Sequence, residues 1–163
     1  MATPATAHNR QLWIGADHAG FELKERLKIY GMHRGIHWID LGPNSTLSVD
    51  YPSFAHSVVE QILRHRKGEE LLAPCGVLVC GSGVGMSIAA NRHRDIRAVL
   101  AWNTEVAALS RLHNASNVLC LGARLIDAEN AEAILDTWLA TPFEGGRHQK
   151  RVDLIETTPQ QED

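Results

Sequence analysis

Two hydrophobic periods alternate along this chain, one typical of strands and the other of helices. Apolar runs at 11–16, 36–41, 77–80, 96–101 and 118–121 are typical of strands buried in a sheet. Between these runs, apolar residues recur every three or four positions, with charged residues on the other side, as in amphipathic helices. The clearest stripes are Leu23, Leu27 and Tyr30; Ala55, Val58, Val59 and Ile62; and Ala131, Ile134, Leu135 and Trp138.

Strands that alternate with helices predict a parallel sheet covered on both faces. We therefore expect an α/β fold, a three-layer αβα arrangement around a five-stranded, parallel, Rossmann-like sheet. Pro52 suits the first turn of the second helix, and Thr104 and Asp127 are expected to cap two later helices. A polar helix, RHQKRVDLIE, is expected to close the fold after Gly145-Gly146.

Length and composition bound the class of protein. The chain has 163 residues, 44% of them hydrophobic, which suffices for one well-buried core and is too short for two typical domains. We predict a single domain over 11–156, with 1–10 and 157–163 as flexible termini. A net charge of −3 gives no electrostatic reason to expect nucleic acid or an anionic membrane as partner. A small-molecule partner is favoured instead.

Cysteine usage and the length of the apolar runs bear on the compartment. Three cysteines, an odd number without metal-type spacing, argue against a disulfide framework and for a reducing environment. No run approaches the roughly 18 apolar residues of a membrane span, and the first ten residues lack the apolar stretch of a secretory signal. We therefore expect a cytoplasmic protein.

The segment VLVCGSGVGMSIAAN, at 77–91, carries the strongest chemical signal. Cys80 follows an unbroken apolar run, so it is placed at the carboxyl end of a buried strand. Gly81, Gly83 and Gly85 allow a sharp turn that directs backbone N–H groups into one concavity, next to the start of a helix. Such surroundings bind anions and favour the thiolate form of a cysteine. The alternative is a small buried hydrophobic residue, as most cysteines are.

A second polar loop, Asp17-His18-Ala19-Gly20, follows the first strand. In open parallel sheets, ligands bind beyond the carboxyl ends of the strands, where the strand order reverses. A sheet that begins 2-1-3 would place this loop beside Cys80. Asp17 and His18 can then act in catalysis, although a helix cap and an exposed histidine are the simpler interpretation.

Other polar residues have both a structural and a chemical interpretation. Ser82 can cap the helix that follows it or donate to a ligand oxygen. His113 and Asn114 lie between a helix and a strand, where a histidine is more often a surface residue than a catalyst. The last candidates are arginines that suit a phosphate dianion but equally a solvated basic face: Arg124, Arg147 and Arg151.

Three well-known loops fail on spacing. A phosphatase loop needs an arginine six residues after its cysteine, and here that position is Met86. A dinucleotide fingerprint needs G-x-G-x-x-G, but here Gly85 follows Gly83 after one residue instead of two. A P-loop needs Gly-Lys-Ser/Thr, which this segment does not contain. None of the three motifs is matched, and a thiol phosphatase is left as an alternative that Met86 weakens and that release of inorganic phosphate would support.

Several longer segments stand in a set order along the chain. They are GADHAGFELK at 15–24, DYPSFA at 50–55, CGSGVGMSIAANR at 80–92, SRLHNASNVLCLGAR at 110–124 and EGGRHQKR at 144–151. In this order they resemble the ribose-5-phosphate isomerase B family and its galactose-6-phosphate isomerase relatives. The resemblance runs from the first strand to the final helix, with no departure at the candidate positions. Ser82 stands where many relatives carry threonine, which keeps the hydroxyl.

The resemblance implies a role for each candidate residue. Cys80 would be the base, His113 would open the sugar ring with the help of Asp17, and Ser82 would complete the catalytic set. The residues that would hold the sugar hydroxyls are Tyr51 and Asn114. The residues that would hold the phosphate are His18, Arg124, Arg147 and Arg151. The loop residues that would contact the substrate are Gly81, Gly83 and Gly85.

The implied reaction is the interconversion of D-ribose 5-phosphate and D-ribulose 5-phosphate in the pentose phosphate pathway, through an enediolate, without a metal or cofactor. The galactose enzymes divide their catalytic groups between two different subunits, so one chain with both Cys80 and His113 favours the ribose substrate. The alternatives left open are a six-carbon phosphosugar, allose or galactose 6-phosphate, and a non-catalytic phosphosugar-binding module.

The family also implies a homodimer or a dimer of dimers with shared sites. In it, His113 and Asn114 would enter from the partner of the chain that supplies Cys80.

Overall fold

The structure, a computed structural model, describes residues 10–157. The strands are β1 (Arg10–Ala16), β2 (Ile36–Asp40), β3 (Gly76–Cys80), β4 (Ala98–Leu100) and β5 (Val118–Gly122). They form one parallel sheet in the order β2-β1-β3-β5-β4. This confirms the predicted α/β class and the parallel sheet. The termini predicted to be flexible lie outside the described residues, apart from Arg10, with which β1 begins, and Thr157.

Helices cover both faces of the sheet, as predicted. They are α1 (Phe21–Met32), α2 (Tyr51–His65), α3 (Val84–Ala90), α4 (Thr104–Asn114), α5 (Ala128–Ala140) and α6 (Arg147–Ile155), with a short 3-10 helix at Gly68–Leu72. The core on one face lies under α1, α4 and α5, and the core on the other face lies under α2 and α3. Within residues 10–157, no helix combines the length and the apolar character that a membrane crossing requires.

The predicted apolar stripes form these two cores. Ile62 on α2 and Ile134 on α5 are fully buried, and Leu27 on α1 is buried as well. Burial of each such side chain contributes about 1.5–3 kcal/mol. The central strands β3 and β5 are buried along their whole length because helices cover them on both sides. Trp138 is also fully buried, and its indole N–H donates to the hydroxyl of Ser116 at 2.8 Å.

The structure corrects two predicted boundaries. The strand predicted over 96–101 is shorter, because only 98–100 pair with β5 at this edge of the sheet. The cap of α4 is Asn103 and not Thr104, since the Asn103 carboxamide oxygen accepts from the N–H of Val106 at 2.8 Å.

Two other predicted helix starts are confirmed. Asp127 caps α5, because its carboxylate accepts from the N–H of Asn130 at 2.8 Å. Pro52 lies in the first turn of α2, where the missing N–H costs no hydrogen bond.

The strand order brings the loops after β1 and β3 together. These strands are direct neighbours, with Ala16 opposite Val79. From β1 the chain moves outward to β2, and it then returns past β1 to β3, so the order reverses between them. We call this side of the sheet, where the strands end, the carboxyl edge, and the side where they begin the amino edge. Ligands of open parallel sheets bind at such a reversal on the carboxyl edge.

Candidate active site

Residues 80–85, which we call the cysteine loop, form a turn next to the sulfur of Cys80. Cys80 is the last residue of β3 and is 4% exposed, and its Sγ accepts from the N–H of Gly83 at 3.1 Å. Gly83 has a φ of 77°, and a Cβ there would lie 2.5 Å from the Leu100 side chain, so the turn requires glycine. An N–H donor at the start of a helix stabilises negative charge on the sulfur.

Ser82 sits in the same turn, between the thiol and α3. Its Oγ accepts from the N–H of Val84 at 3.3 Å, but the N-cap of α3 is Gly83, so Ser82 lies one residue before the cap and the capping interpretation is wrong. Ser82 is partly exposed, so its hydroxyl hydrogen remains available to a ligand oxygen. Donation to a ligand therefore stays a prediction for this serine.

The loop after β1 is fixed against the end of β3. The N–H of Asp17 donates to the carbonyl oxygen of Val79 at 3.1 Å, and its carboxylate accepts from the N–H of Gly20 at 2.9 Å. A Cβ on Gly20 would lie 2.4 Å from the Val79 carbonyl oxygen, so a glycine is needed for this close approach. Asp17, 7% exposed, thus lies on the strand end adjacent to that of Cys80.

His18 and Tyr51 connect the start of α2 to this edge. The Nδ1 of His18 lies 3.2 Å from both the nitrogen and the carbonyl oxygen of Val49, two residues before α2. The Tyr51 ring packs on Gly85, where a Cβ would lie 2.6 Å from the ring Cζ. Tyr51 keeps 38% of its surface exposed. Tyr51 therefore borders the cysteine loop, and His18 lies beside the segment that leads into α2.

Arg124 places a positive charge beside the cysteine loop. Its backbone N–H donates to the carbonyl oxygen of Gly81 at 3.0 Å, and the preceding N–H, of Ala123, donates to that of Cys80 at 2.9 Å. The guanidinium lies over Gly81, with Nη1 3.1 Å from the position that a Cβ would take. Arg124 is exposed. A planar cation next to inward-facing N–H groups suits a phosphate or an enediolate.

A second polar group, the histidine cluster, consists of His113, Glu144 and His148. The imidazoles of His113 and His148 stack with ring centroids 4.3 Å apart and planes 12° from parallel. The Nε2 of His148 lies 3.4 Å from a carboxylate oxygen of Glu144 and accepts from the Nε–H of Arg147, also at 3.4 Å. Desolvation and the neighbouring His113 and Arg147 lower the pKa of His148.

The histidine cluster and the cysteine loop lie at opposite edges of the sheet. α4 starts after β4, at the carboxyl edge, and ends at Asn114, before β5 starts at the amino edge. Its eleven residues span roughly 16 Å. Within one chain, His113 and Asn114 are therefore remote from Cys80, and the exposed Arg147 and Arg151 belong to α6, which packs on α4.

The structure thus divides the predicted site residues into two groups. The group at the carboxyl edge contains Asp17, His18, Tyr51, Cys80, Gly81, Ser82, Gly83, Gly85 and Arg124. The group around the end of α4 contains His113, Asn114, Arg147 and Arg151. Glu144 and His148 are not among the predicted site residues, although both lie in the segment EGGRHQKR, which carries part of the resemblance.

The other two cysteines have no such surroundings. Burial raises the pKa of the Cys75 thiol to about 11, and its S–H donates to the carbonyl oxygen of Ala73 at 3.2 Å. Cys120 is fully buried in β5, and this burial also raises the pKa of its thiol. Neither is suited to act as a nucleophile or base near neutral pH.

A doubly wound sheet with a thiol and an arginine around one glycine turn defines a Rossmann-like protein with a site for a small anionic molecule. Its family follows from comparison with known proteins. The family model for ribose/galactose isomerases matches residues 12–155, and the chain belongs to this family.

Characterised relatives and solved structures agree with this assignment. The chain is 42% identical to ribose-5-phosphate isomerase B of Escherichia coli, with 90% of this chain and 94% of that protein covered. It is similar to the crystal structure of a ribose 5-phosphate isomerase from Thermotoga maritima, with 49% identity, a TM-score of 0.85 and coverage of 91% and 99%. It is also similar to the Mycoplasma genitalium ribose-5-phosphate isomerase B with bound ribulose-5-phosphate, with 36% identity, a TM-score of 0.82 and coverage of 89% and 93%.

Proposed function

We propose that this protein is an aldose–ketose isomerase that interconverts D-ribose 5-phosphate and D-ribulose 5-phosphate. The observation that carries the proposal is Cys80, a thiol at the end of β3 that accepts a backbone N–H inside a glycine turn. Its relatives in the family support the choice of substrate, among them the Mycoplasma genitalium protein that binds ribulose-5-phosphate. A metal ion is not needed for this chemistry.

The isomerisation moves one proton between carbons 2 and 1 of the open-chain sugar, and a second between the oxygens on these carbons, through an enediolate. Cys80, as thiolate, takes the proton from one carbon and returns it to the other, and general base catalysis of this kind contributes about 10²–10⁴ in rate. Backbone N–H groups of the cysteine loop stabilise the enediolate oxygen, which is usually the larger contribution. Ser82 has a hydroxyl in the same turn for a substrate oxygen.

The rest of the substrate is held by residues of both groups, the one at the carboxyl edge and the one around the end of α4. Tyr51 and Asn114 bind sugar hydroxyls in this proposal. The phosphate binds to His18 and to the arginines Arg124, Arg147 and Arg151, each of which provides charge-assisted hydrogen bonds. Binding energy from the phosphate positions the reacting carbons against the thiol.

This assignment needs two copies of the chain, because His113 and Cys80 lie at opposite edges of one sheet. A two-fold dimer places the partner subunit's His113 and Asn114 beside Cys80, and the same contact occurs twice. There His113 opens the furanose ring, with Asp17 as its carboxylate partner.

The surface around β4 suits this assembly. α3 exposes Val84 and Ile88, which are 44% and 54% exposed. Beside them, a cavity of about 480 Å³ runs along the edge strand β4 and is bordered by Asn114 and by Ile155 of α6. Exposed apolar side chains next to an unpaired strand edge are typical of a surface that a second copy covers.

The test is an isomerisation assay with ribose, allose and galactose phosphates, with and without chelator, in heavy water. We expect ribose 5-phosphate to react with the highest kcat/KM, with solvent exchange of the carbon-2 proton seen by NMR, and with no effect of chelator. Tight binding without exchange would indicate a binding module, and faster turnover of a six-carbon phosphosugar would correct the substrate. Loss of activity with chelator would contradict the metal-free mechanism.

A further inference from the structure

Of the three residues in the histidine cluster, the proposed isomerisation uses only His113. Among residues 10–157, it is the one group of three His, Cys, Asp or Glu side chains whose ligand atoms all lie within 4.8 Å of one another. His113 supplies one imidazole, His148 a second and Glu144 a carboxylate. Two imidazoles and one carboxylate, with a fourth position left to water, are the ligands that Zn²⁺ takes in open tetrahedral sites.

We propose that the histidine cluster is a binding site for a divalent transition-metal ion, of the Zn²⁺ type, and that its occupancy inhibits the isomerase. The inhibition rests on the proposed function, in which His113 opens the sugar ring. An imidazole whose lone pair is bound to a metal cannot accept the proton of a sugar hydroxyl. The metal site itself rests on the geometry of the three side chains and not on the reaction.

Backbone hydrogen bonds hold the segments that carry the three ligands next to one another. The N–H of Glu144 donates to the carbonyl oxygen of Leu112 at 3.1 Å, which ties the start of the 144–148 segment to the residue before His113. The N–H of His148 donates to the carbonyl oxygen of Gly145 at 2.9 Å, which closes the turn between Glu144 and His148. The main chain therefore keeps the ligand positions together before any ion arrives.

The side chains need only a small adjustment. Ligand atoms of one tetrahedral Zn²⁺ lie about 3.3 Å apart, given Zn–N and Zn–O distances near 2.0–2.2 Å. The His148–Glu144 pair is already at 3.4 Å. The partly exposed His113 ring must turn so that one of its nitrogens faces the ion, and the Glu144 side chain, 56% exposed, is free to follow. His148 is held by burial, with its Nε2 already next to Glu144.

The charges around the cluster select the kind of ion. Arg147 donates to the Nε2 of His148, and a metal on this nitrogen would replace that long hydrogen bond. With one carboxylate and a nearby guanidinium, the site has little net negative charge, so a hard cation such as Mg²⁺ or Ca²⁺ gains little there. Imidazole nitrogens favour Zn²⁺, Cu²⁺, Ni²⁺ and Co²⁺, whose bonds to nitrogen compensate for the lost hydrogen bond.

The experiment uses the full chain, freed of metal by chelator, and titrates it with Co²⁺ as a spectroscopic substitute for Zn²⁺. We expect one Co²⁺ per chain with the visible absorption of four-coordinate cobalt. Loss of a residue that only orients a ligand typically costs 10–100-fold in metal affinity, so Glu144→Gln and His148→Gln are each expected to cost at least about tenfold. Far-UV circular dichroism checks that the variants fold. If His148→Gln does not fold, Glu144→Gln, which changes an exposed side chain, still tests the site.

Two control variants test the competing sites. His56→Gln removes part of the other close imidazole pair, in which His56 Nδ1 lies 2.7 Å from His93 Nε2. Cys80→Ala removes the thiol. Both are expected to bind Co²⁺ as the unchanged chain does, without sulfur-to-cobalt charge-transfer bands in any spectrum. Loss of binding in either control, or binding unchanged in Glu144→Gln, would overturn the proposal, as would the absence of stoichiometric binding.

The activity measurement separates this inference from the proposed function. Zn²⁺ should inhibit isomerisation reversibly, with recovery on addition of chelator. The inhibition constant, measured for each protein against its own uninhibited rate, should be at least about tenfold higher in Glu144→Gln than in the unchanged chain. Inhibition equally strong in Glu144→Gln would refute the inhibitory role. A chain that binds Co²⁺ as expected but isomerises no sugar phosphate would support the metal site and refute the proposed function.

Discussion

The cysteine loop and the histidine cluster are held by the chain in different ways. Cys80 is buried at the end of a central strand, and backbone hydrogen bonds from Ala123 and Arg124 hold its loop against the end of β5. His113 lies at the last turn of a helix, beside the exposed side chains of Glu144 and Arg147. The sheet therefore fixes a single reactive group in place, whereas the helix ends present several polar groups outward. We infer that the first arrangement suits proton transfer and the second suits recognition completed by assembly.

The largest effect is expected when the reactive group of the sheet edge is removed. Cys80→Ala should lower carbon-2 proton exchange by at least about 10²-fold, because the base is lost while the fold is kept. NMR in heavy water measures the exchange. Cys75→Ala and Cys120→Ala are the matched controls and should be mild by comparison. Near-normal exchange in Cys80→Ala would remove the thiol from the mechanism.

The separation of the two regions leads to the next prediction. Cys80→Ala and His113→Asn, each inactive, should regain activity when they are refolded together. Random pairing makes half of the dimers mixed, and each mixed dimer has one intact site of two, so roughly a quarter of the activity of the unchanged protein should return. The measurement is the isomerisation rate before and after mixing.

Two outcomes would contradict the shared arrangement. If both groups of a site belong to one chain, every site keeps a lesion, so no recovery despite proven subunit exchange would rule it out. A monomer in analytical ultracentrifugation would remove its premise.

A smaller effect is expected from the exposed arginines of α6. Arg147→Ala and Arg151→Ala should each raise the apparent KM at least about tenfold, because charge-assisted hydrogen bonds to phosphate contribute roughly 1.5–3 kcal/mol each. Inhibition by free phosphate should weaken in parallel. Arg26→Ala serves as control, since Arg26 pairs with Glu132 on the surface at 2.8 Å. Phosphate inhibition that does not change in the α6 variants would place the anion elsewhere.

The smallest effect compares one glycine from each region. Gly83 and Gly145 both have positive φ, which costs a non-glycine residue roughly 1–2 kcal/mol. A Cβ on Gly83 also meets Leu100 at 2.5 Å, whereas one on Gly145 meets nothing within 4 Å. We expect Gly83→Ala to lower the free energy of unfolding by at least about 1 kcal/mol more than Gly145→Ala. Urea denaturation measures both, and equal midpoints would show that the cysteine loop is not tightly packed.

Local periodicity explains why most of the fold could be predicted. The stripe that includes Ile134 and Trp138 was recognised from spacing alone, and these residues are buried. The cap of α4 was misplaced by one residue because Asn103 and Thr104 are both good caps, and only the backbone geometry decides between them. β4 was overestimated because burial continues at Ile96 and Ala101, beyond the paired residues.

The candidate site was predictable to a similar extent. The cysteine loop followed from its glycine spacing, and its neighbour Asp17 followed from the expected strand order. The contact between His113 and His148 did not, because these residues are far apart in sequence and meet only through the packing of α6 on α4. The opposite positions of His113 and Cys80 likewise depend on the direction of α4, which periodicity does not report.

The span of α4 from one edge of the sheet to the other has an evolutionary consequence. In the proposed dimer, this helix determines where the His113 imidazole of one subunit meets the active site of the other. One inserted residue would turn His113 by about 100° and advance it by about 1.5 Å, so the imidazole would no longer point at the neighbouring site. Insertions and deletions among descendants of this gene should therefore avoid 104–114 and collect in segments that position neither half of the site.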